Sequence, residues 1–575
     1  MKILRRVGIV LLVLVVAAGA WIWWNRPGHT DLATYVPADA LVYLEADSLP
    51  SIAGAVTKTD AWQALAPAAG IRAGASESGL LGKLMAWTGI GPAESVVLSR
   101  VQIAVVVLGF DAADGGEALR IKPKYAMVAE THSSESRTLA AIESQIGKFA
   151  TRAYVSPTVD RKVVDGVQWL TWTAPAQDRR IVVAVTGSLA IAGNDESVVR
   201  ACLDAKNGAR PNLSTNPSLQ DMRQRMSGNG ALAFGYVSPA GAARLFDVYA
   251  ALYAGQITDD PGRQELAAGL LSEVAKKTFG AIGWSARFAD GRIEDRYYLS
   301  LDPAATGRLA PTLATDPNFT SPEGGLLPPR TYSLTHYNLA DPLGAWNGLN
   351  GALAARLDAV LAAAVPVASA RLLETYGIED PGTFLSATGG QLITARLDDQ
   401  PGSTVTLVTV RDQAIIGAAV QKRMGLNGKT EKIGDVEMLI SADPKRGAAA
   451  FAGEVLLLGK PENIRRCLEA RAANQNILAA DGYTRALAGV DRTTPPVSYT
   501  LTNDTAAARD LILAVAARRL LRDREPDAAQ MTAALAKLPY ILTETRLVEG
   551  GFERKTRSAF GQFGAIAVQF APAGK

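Results

Sequence analysis

The chain has 575 residues, 48% of them hydrophobic and 20% charged, with a formal net charge of +3. That length exceeds one ordinary core and implies several domains, and the composition excludes a disordered chain. Near-balanced charge offers no concentrated basic face for nucleic acid, and 6% aromatic content advertises few stacking platforms.

At the N-terminus, Lys2, Arg5 and Arg6 precede an uncharged apolar run from Val7 to Trp24. As a helix that run reaches ~27 Å, about the thickness of a bilayer core. The basic flank predicts its own retention inside and export of everything past Arg26, and Trp21, Trp23 and Trp24 suit the far headgroup boundary. Residues 1–27 therefore read as a signal-anchor. A cleaved signal peptide is the competing reading, because Ala18-Gly19-Ala20 fits a small-residue cleavage site. Ala359 to Ala370, the best later apolar stretch, is too short for a second span. The expected address is the bacterial cytoplasmic (inner) membrane, single-pass, with most of the chain extracytoplasmic or periplasmic.

Beyond the anchor, "ALVYLEA" alternates as a strand and "SIAGAVTKTDAWQALAPAAG" reads as helix. "VQIAVVVLGF" and "YAMVAET" read as a strand hairpin around Asp114-Gly115. Asp111, Asp114 and Glu117 at its tip miss the calcium-loop pattern, and a turn explains them without a metal. "SSESRTLAAIESQIGKF" predicts a helix with a near capping box. "KVVDGVQWLTWT" and "RRIVVAVTGSLAIAG" supply strands with Asp-Gly and Thr-Gly turns, and "GAIGWSARFADGRIEDRYYLSL" supplies two more joined at Asp290-Gly291. Tight hairpins imply antiparallel pairing, so the fold class is α+β, each domain having an antiparallel sheet and packed helices.

The chain's two cysteines, Cys202 and Cys467, sit in nearly the same phrase, "VVRACLDA" and "NIRRCLEA". Upstream, "TGSLAIAGN" resembles "AGEVLLLGK", and downstream "ARFADGRIEDR" resembles "TRLVEGGFERK". Several such matches in the same order indicate two homologous domains, at 28–305 and 328–575, with a proline-rich linker at 306–327. Val199, Cys202 and Leu203, like Ile464, Cys467 and Leu468, have the spacing of a buried helical stripe. That spacing predicts repeat-equivalent core thiols; an interdomain disulfide is the alternative.

Chemistry is sparse. His29, His132 and His336 have no partner at a zinc-ligand spacing. His132 reads as a solvated loop residue and His336 as part of a strand. "GLNGKT" lacks the first glycine of a phosphate loop and reads as a connector, and no G-x-S-x-G elbow occurs. No catalytic group, metal set or cofactor emerges. Two surfaces remain. Arg518, Arg519, Arg522 and Arg524 end an apolar helix beginning near Asp504; they suit its dipole or contact anionic lipid headgroups. Gly351 to Gly377 reads as one long alanine-rich helix, either core or the lining of a groove for an apolar ligand.

"YVPADALVYLEADSL" with "TKTDAWQAL", "GSLAIAGNDESVVRACLDA" and "FADGRIEDRYYLSLDP" resemble a bacterial membrane-anchored extracytoplasmic family, catalogued as a domain of unknown function. The resemblance implies address and architecture and carries over no catalytic residue. The expected function is non-enzymatic binding, scaffolding or assembly, with the membrane and an envelope protein as partners and no nucleic acid. The alternatives are an envelope hydrolase with a cryptic carboxylate site and a carrier for lipid or another apolar ligand.

Overall fold

The computed structural model describes residues 28–46, 48–71, 101–114, 119–176, 179–226, 228, 230–257, 260–313, 315, 322–355, 357, 359–374, 378, 380–400, 402–425, 428–516 and 524–569. The predicted anchor, 1–27, lies outside them. Among the described residues no helix is long and apolar enough to cross a membrane. The fold is α+β with antiparallel strand pairing. Contacts group the chain into two compact units, one holding Thr88–Asn216 with short earlier stretches, the other holding Pro50–Trp87 and Pro217–Lys575. Strand β1 (Val42–Ala46) has residues in both.

In the first unit the strands are β2 (Gln102–Asp114), β3 (Leu119–Glu130), β4 (Thr158–Val164), β5 (Val167–Thr173), β6 (Arg180–Thr186) and β7 (Leu189–Gly193). They pair in the order β2-β3-β7-β6-β5-β4. Turn chemistry sets the hairpins: Asp165 and Gly166 have φ of 50° and 76° between β4 and β5, a conformation that matches strand twist and suits Asp-Gly. The helix Glu135–Tyr154 lays Leu139, Ile142, Ile146 and Ala150 on Leu170, Trp172, Val183 and Val185. Ser134 stands at its N-cap position, but its side chain makes no cap hydrogen bond. Instead Glu135 reaches outward and accepts from the Gly187 amide, so the expected capping box does not form.

The second unit carries β8 (Ala231–Val237), β9 (Phe279–Ala289), β10 (Arg292–Leu301), β11 (Ser333–Asn338), β12 (Thr388–Arg396) and β13 (Thr404–Val410). It continues with β14 (Lys429–Ile433), β15 (Val436–Ile440), β16 (Ala448–Ala452), β17 (Val455–Gly459), β18 (Ser498–Thr502), β19 (Ile541–Val548) and β20 (Gly551–Ser558). Their order is β8-β9-β10-β20-β19-β18-β11-β12-β13-β17-β16-β15-β14. Alternation along the strands separates two faces. Leu334, Ile393, Leu407, Leu501 and Leu542 point to the main core, where the helix Pro461–Ala472 adds Ile464, Cys467 and Leu468. The other face of β13 and β17 packs Val408, Leu456 and Leu458 against Ile416, Val420 and Met424 of the helix Gln413–Met424.

Three further expectations change. The helix read through Lys58-Thr59 is two helices, Leu49–Thr57 and Asp60–Ala68, because the Thr59 hydroxyl caps the second by accepting from the Trp62 amide at 3.2 Å. The stretch Gly351–Gly377 is likewise divided between helices Pro342–Ala354 and Ala359–Glu374. The first begins early because Asp341 accepts from the Gly344 amide and Pro342 takes the first helical position. Alanine favours helix on both sides of the break, so composition does not mark it. The segment read as linker starts inside a short helix, Pro303–Leu309, capped by Asp302 and holding Ala305 and Leu309 against Leu301 and Ala352.

Candidate ligand site

Helix Pro342–Ala354 and the sheet face away from the main core enclose an open cavity of about 350 Å³. Pro342, Ala345, Trp346 and Leu349 form the helical wall, and Tyr337, Leu392 and Val408 form the floor on β11, β12 and β13. Those three floor residues are register partners, Tyr337 opposite Leu392 and Leu392 opposite Val408. Leu313, Ile378 and Leu385 close the side. Among the described residues no charged side chain lines it. The lining is predominantly apolar, and the volume falls at the small end of the ~300–1,000 Å³ that ligand pockets span.

Beside the floor runs a polar row. Thr406, Thr394, Thr335, Thr500, Thr543 and Thr556 stand opposite one another on successive strands β13, β12, β11, β18, β19 and β20. Thr335 and Thr500 share a hydrogen bond of 3.0 Å, as do Thr543 and Thr556. Thr394 and Thr406 also line the cavity. The row ends at Asp295 of β10, opposite Thr556. Asp295 is buried and accepts from Trp284 Nε1 at 3.0 Å and from the Gln562 amide at 3.1 Å. Burial pushes its carboxyl up to about 6. Its two oxygens are occupied with an indole and the start of the helix Gly561–Gln569, which makes it a support for that helix.

The opposite face of β9, β10, β20 and β19 is ionic. Glu294 accepts from Arg287 Nε at 2.8 Å and Arg557 Nε at 2.9 Å. Burial works to raise its carboxyl, and the bonded Arg557 and Arg287 outweigh it and hold it below the usual range. Glu553 accepts from Arg296 Nε at 2.6 Å, and Glu544 from Arg546 at 2.8 Å. Further along this face, His336 is fully buried, with Nδ1 2.8 Å from the Tyr499 hydroxyl and Nε2 bonded to Gln391. Burial lowers its pKa to about 4, so the ring is neutral at pH 7.

Of the residues singled out from sequence, Cys202 and Cys467 are both free and fully buried, and burial pushes each thiol up to about 12. Neither is a reactive thiolate at neutral pH. Lys2, Arg5, Arg6, Val7, Trp21, Trp23 and Trp24 lie outside the described residues, as do Arg518, Arg519 and Arg522. Arg524 donates to the Pro67 carbonyl at 2.7 Å and to Gln530 at 3.3 Å. The side chains of Asp111, Asp114 and Glu117 are outside the described set. His132, read as solvated, is half-buried: its amide donates to Glu130 and its Nε2 is 2.9 Å from Gln102 Oε1. Among the described residues no cluster of His, Cys, Asp and Glu would hold a metal ion. Trp346 and the threonine row are not apparent in the sequence. Asp341-Pro342 marks the helix start that carries Trp346, but the threonines share a row only through pairing between distant strands.

The architecture is that of an α+β protein with antiparallel strand pairing and a cavity whose described lining is mainly apolar and carries no charged side chain. No protein family, curated protein or solved structure matches the chain.

Proposed function

We propose that the chain is a membrane-anchored envelope protein, made of two copies of one α+β unit, whose role is to bind rather than to catalyse. The observation that carries this reading is the cavity beneath helix Pro342–Ala354: it is apolar, open and, among the described residues, free of charged groups. A binding protein that takes up an apolar or amphipathic ligand needs such a surface, whereas a hydrolase needs carboxylates aimed into a cleft. Asp295, the carboxyl raised to about 6, is bonded to Trp284 and a helix start. That position favours the carrier form of the proposal over the hydrolase.

Duplication is supported by connectivity. The order β2-β3-β7-β6-β5-β4 in the first unit has its counterpart in β12-β13-β17-β16-β15-β14, and β8-β9-β10 has its counterpart in β18-β19-β20. Local packing supports it too. A Cβ on Gly193 would stand 2.9 Å from the Tyr125 carbonyl, and one on Gly459 would stand 3.0 Å from the Thr404 carbonyl, each just ahead of a cysteine helix. The pair Arg287 and Glu294 across one hairpin corresponds to Arg546 and Glu553 across the other. The basic flank and apolar run of residues 1–27 support the anchor and the extracytoplasmic address.

The test is purification of the full chain from its native membrane, with mass spectrometry of bound proteins and lipids. Stoichiometric recovery of a protein or lipid companion is the expected result. Recovery of the bare chain would overturn the binding role.

A further inference from the structure

We infer that the cavity under Trp346 takes one alkyl chain of an uncharged, single-chain amphiphile, whose hydroxyl-bearing head lies on the threonine row. The inference rests on the proposed binding role and deepens it. The cavity volume of about 350 Å³ suits one chain better than the paired chains of a bilayer phospholipid. Most of its lining is apolar: Trp346, Leu392, Val408, Leu385 and Ile378 offer dispersion contacts and no charge. A carboxylate or phosphate head brought there would be desolvated, with no cation among the described lining residues to meet it. A neutral head meets different chemistry. Thr394 and Thr406, each carrying a hydroxyl, line the cavity. Thr335 and Thr500 continue the row at the next strands. Each hydroxyl both donates and accepts, so glycerol-like hydroxyls and an ester carbonyl can be satisfied there. A monoacylglycerol has this chemistry.

The experiment uses the full chain in phosphatidylcholine vesicles with three diazirine-labelled probes: a monoacylglycerol, a fatty acid at pH 8 and a diacyl phosphatidylcholine. After irradiation, cross-linked peptides are mapped by mass spectrometry. The monoacylglycerol is expected to label the peptides carrying Tyr337–Leu349 and Leu385–Thr394 at least tenfold more than either other probe. Leu349→Asp, at the exposed rim, is expected to reduce that labelling at least tenfold. Thr394→Val with Thr406→Val, near-isosteric changes, is expected to reduce it severalfold. Preferential labelling by the fatty acid or the diacyl lipid, or labelling unaffected by Leu349→Asp, would overturn the inference and leave the binding role standing. Absence of labelling by all three probes would overturn the inference and, if no protein companion co-purifies, the binding role with it.

Discussion

Arg296 of β10 and Lys555 of β20 face each other directly across an antiparallel strand pair. Two cations in register repel, and the pairing stands because carboxylates flank them: Glu553 accepts from Arg296, and Lys555 lies close enough to Glu294 to lower its pKa. These are also the residues that align when "DGRIEDR" is laid on "EGGFERK".

Neutralising Glu553 removes the counter-charge from that seam. Glu553→Gln is expected to destabilise the protein by about 2 kcal/mol, since it leaves Arg296 half-buried opposite Lys555. Arg296→Met combined with Glu553→Gln is expected to recover part of the loss. Urea denaturation midpoints of the four proteins in the double-mutant cycle measure it; equal losses in the single and double variants would contradict the proposed compensation.

Two buried groups set opposing pH dependences. His336 has a folded pKa of about 4 against an ordinary 6.5, so the unfolded chain binds its proton more readily. Its contribution is fully present above pH 6.5 and is lost as pH falls toward 4, up to ~3 kcal/mol. Asp295 is shifted the other way, to about 6 from 3.8, so its contribution is present below pH 3.8 and is lost as pH rises toward 6. Thermal midpoints between pH 4 and 7 are expected to fall less steeply with acid for His336→Gln than for the natural chain. Asp295→Asn is expected to steepen that acid fall. A pH profile unchanged by both substitutions would contradict the assignments.

The thiols provide a test of burial. Under native conditions iodoacetamide is expected to leave Cys202 and Cys467 unmodified for hours at pH 7.5, and to modify both once the chain is denatured without reductant. Cys467→Ser is expected to cost about 1–3 kcal/mol, because it places a hydroxyl among Ile464, Leu468 and Leu457. Intact-mass measurement counts the adducts, and modification of either cysteine in the native chain would contradict its sealed position.

Gly291 and Gly166 occupy the same left-handed turn position, with φ of 71° and 76°, but not the same surroundings. A Cβ at 166 meets open space, so Gly166→Ala carries only the backbone cost of about 1 kcal/mol. A Cβ at 291 would stand 2.5 Å from the Asp60 carboxylate, whose backbone amide already donates to the Gly291 carbonyl at 2.8 Å. Gly291→Ala is therefore expected to be the more damaging, by roughly another 1–2 kcal/mol from overpacking. Thermal unfolding of the two variants compares them, and equal losses would show the contact to be yielding.

The linear order of residues specifies local features. Asp165-Gly166 and Asp290-Gly291 announce their hairpins because two adjacent residues hold the positive φ that the turn needs. Val199, Cys202 and Leu203, and their later counterparts, announce a buried helical stripe because three- and four-residue spacing puts side chains on one face. Which strands meet, and what covers each face, emerges only on folding. Tyr337 and Leu392 become neighbours on the cavity floor through a pairing that spans 55 positions. Thr335, Thr500 and Thr543 become one row the same way. Asp295 becomes a helix support and His336 a neutral core ring only once neighbouring strands exclude water. Register is set by the summed burial of whole strands, and no short stretch of sequence contains that sum.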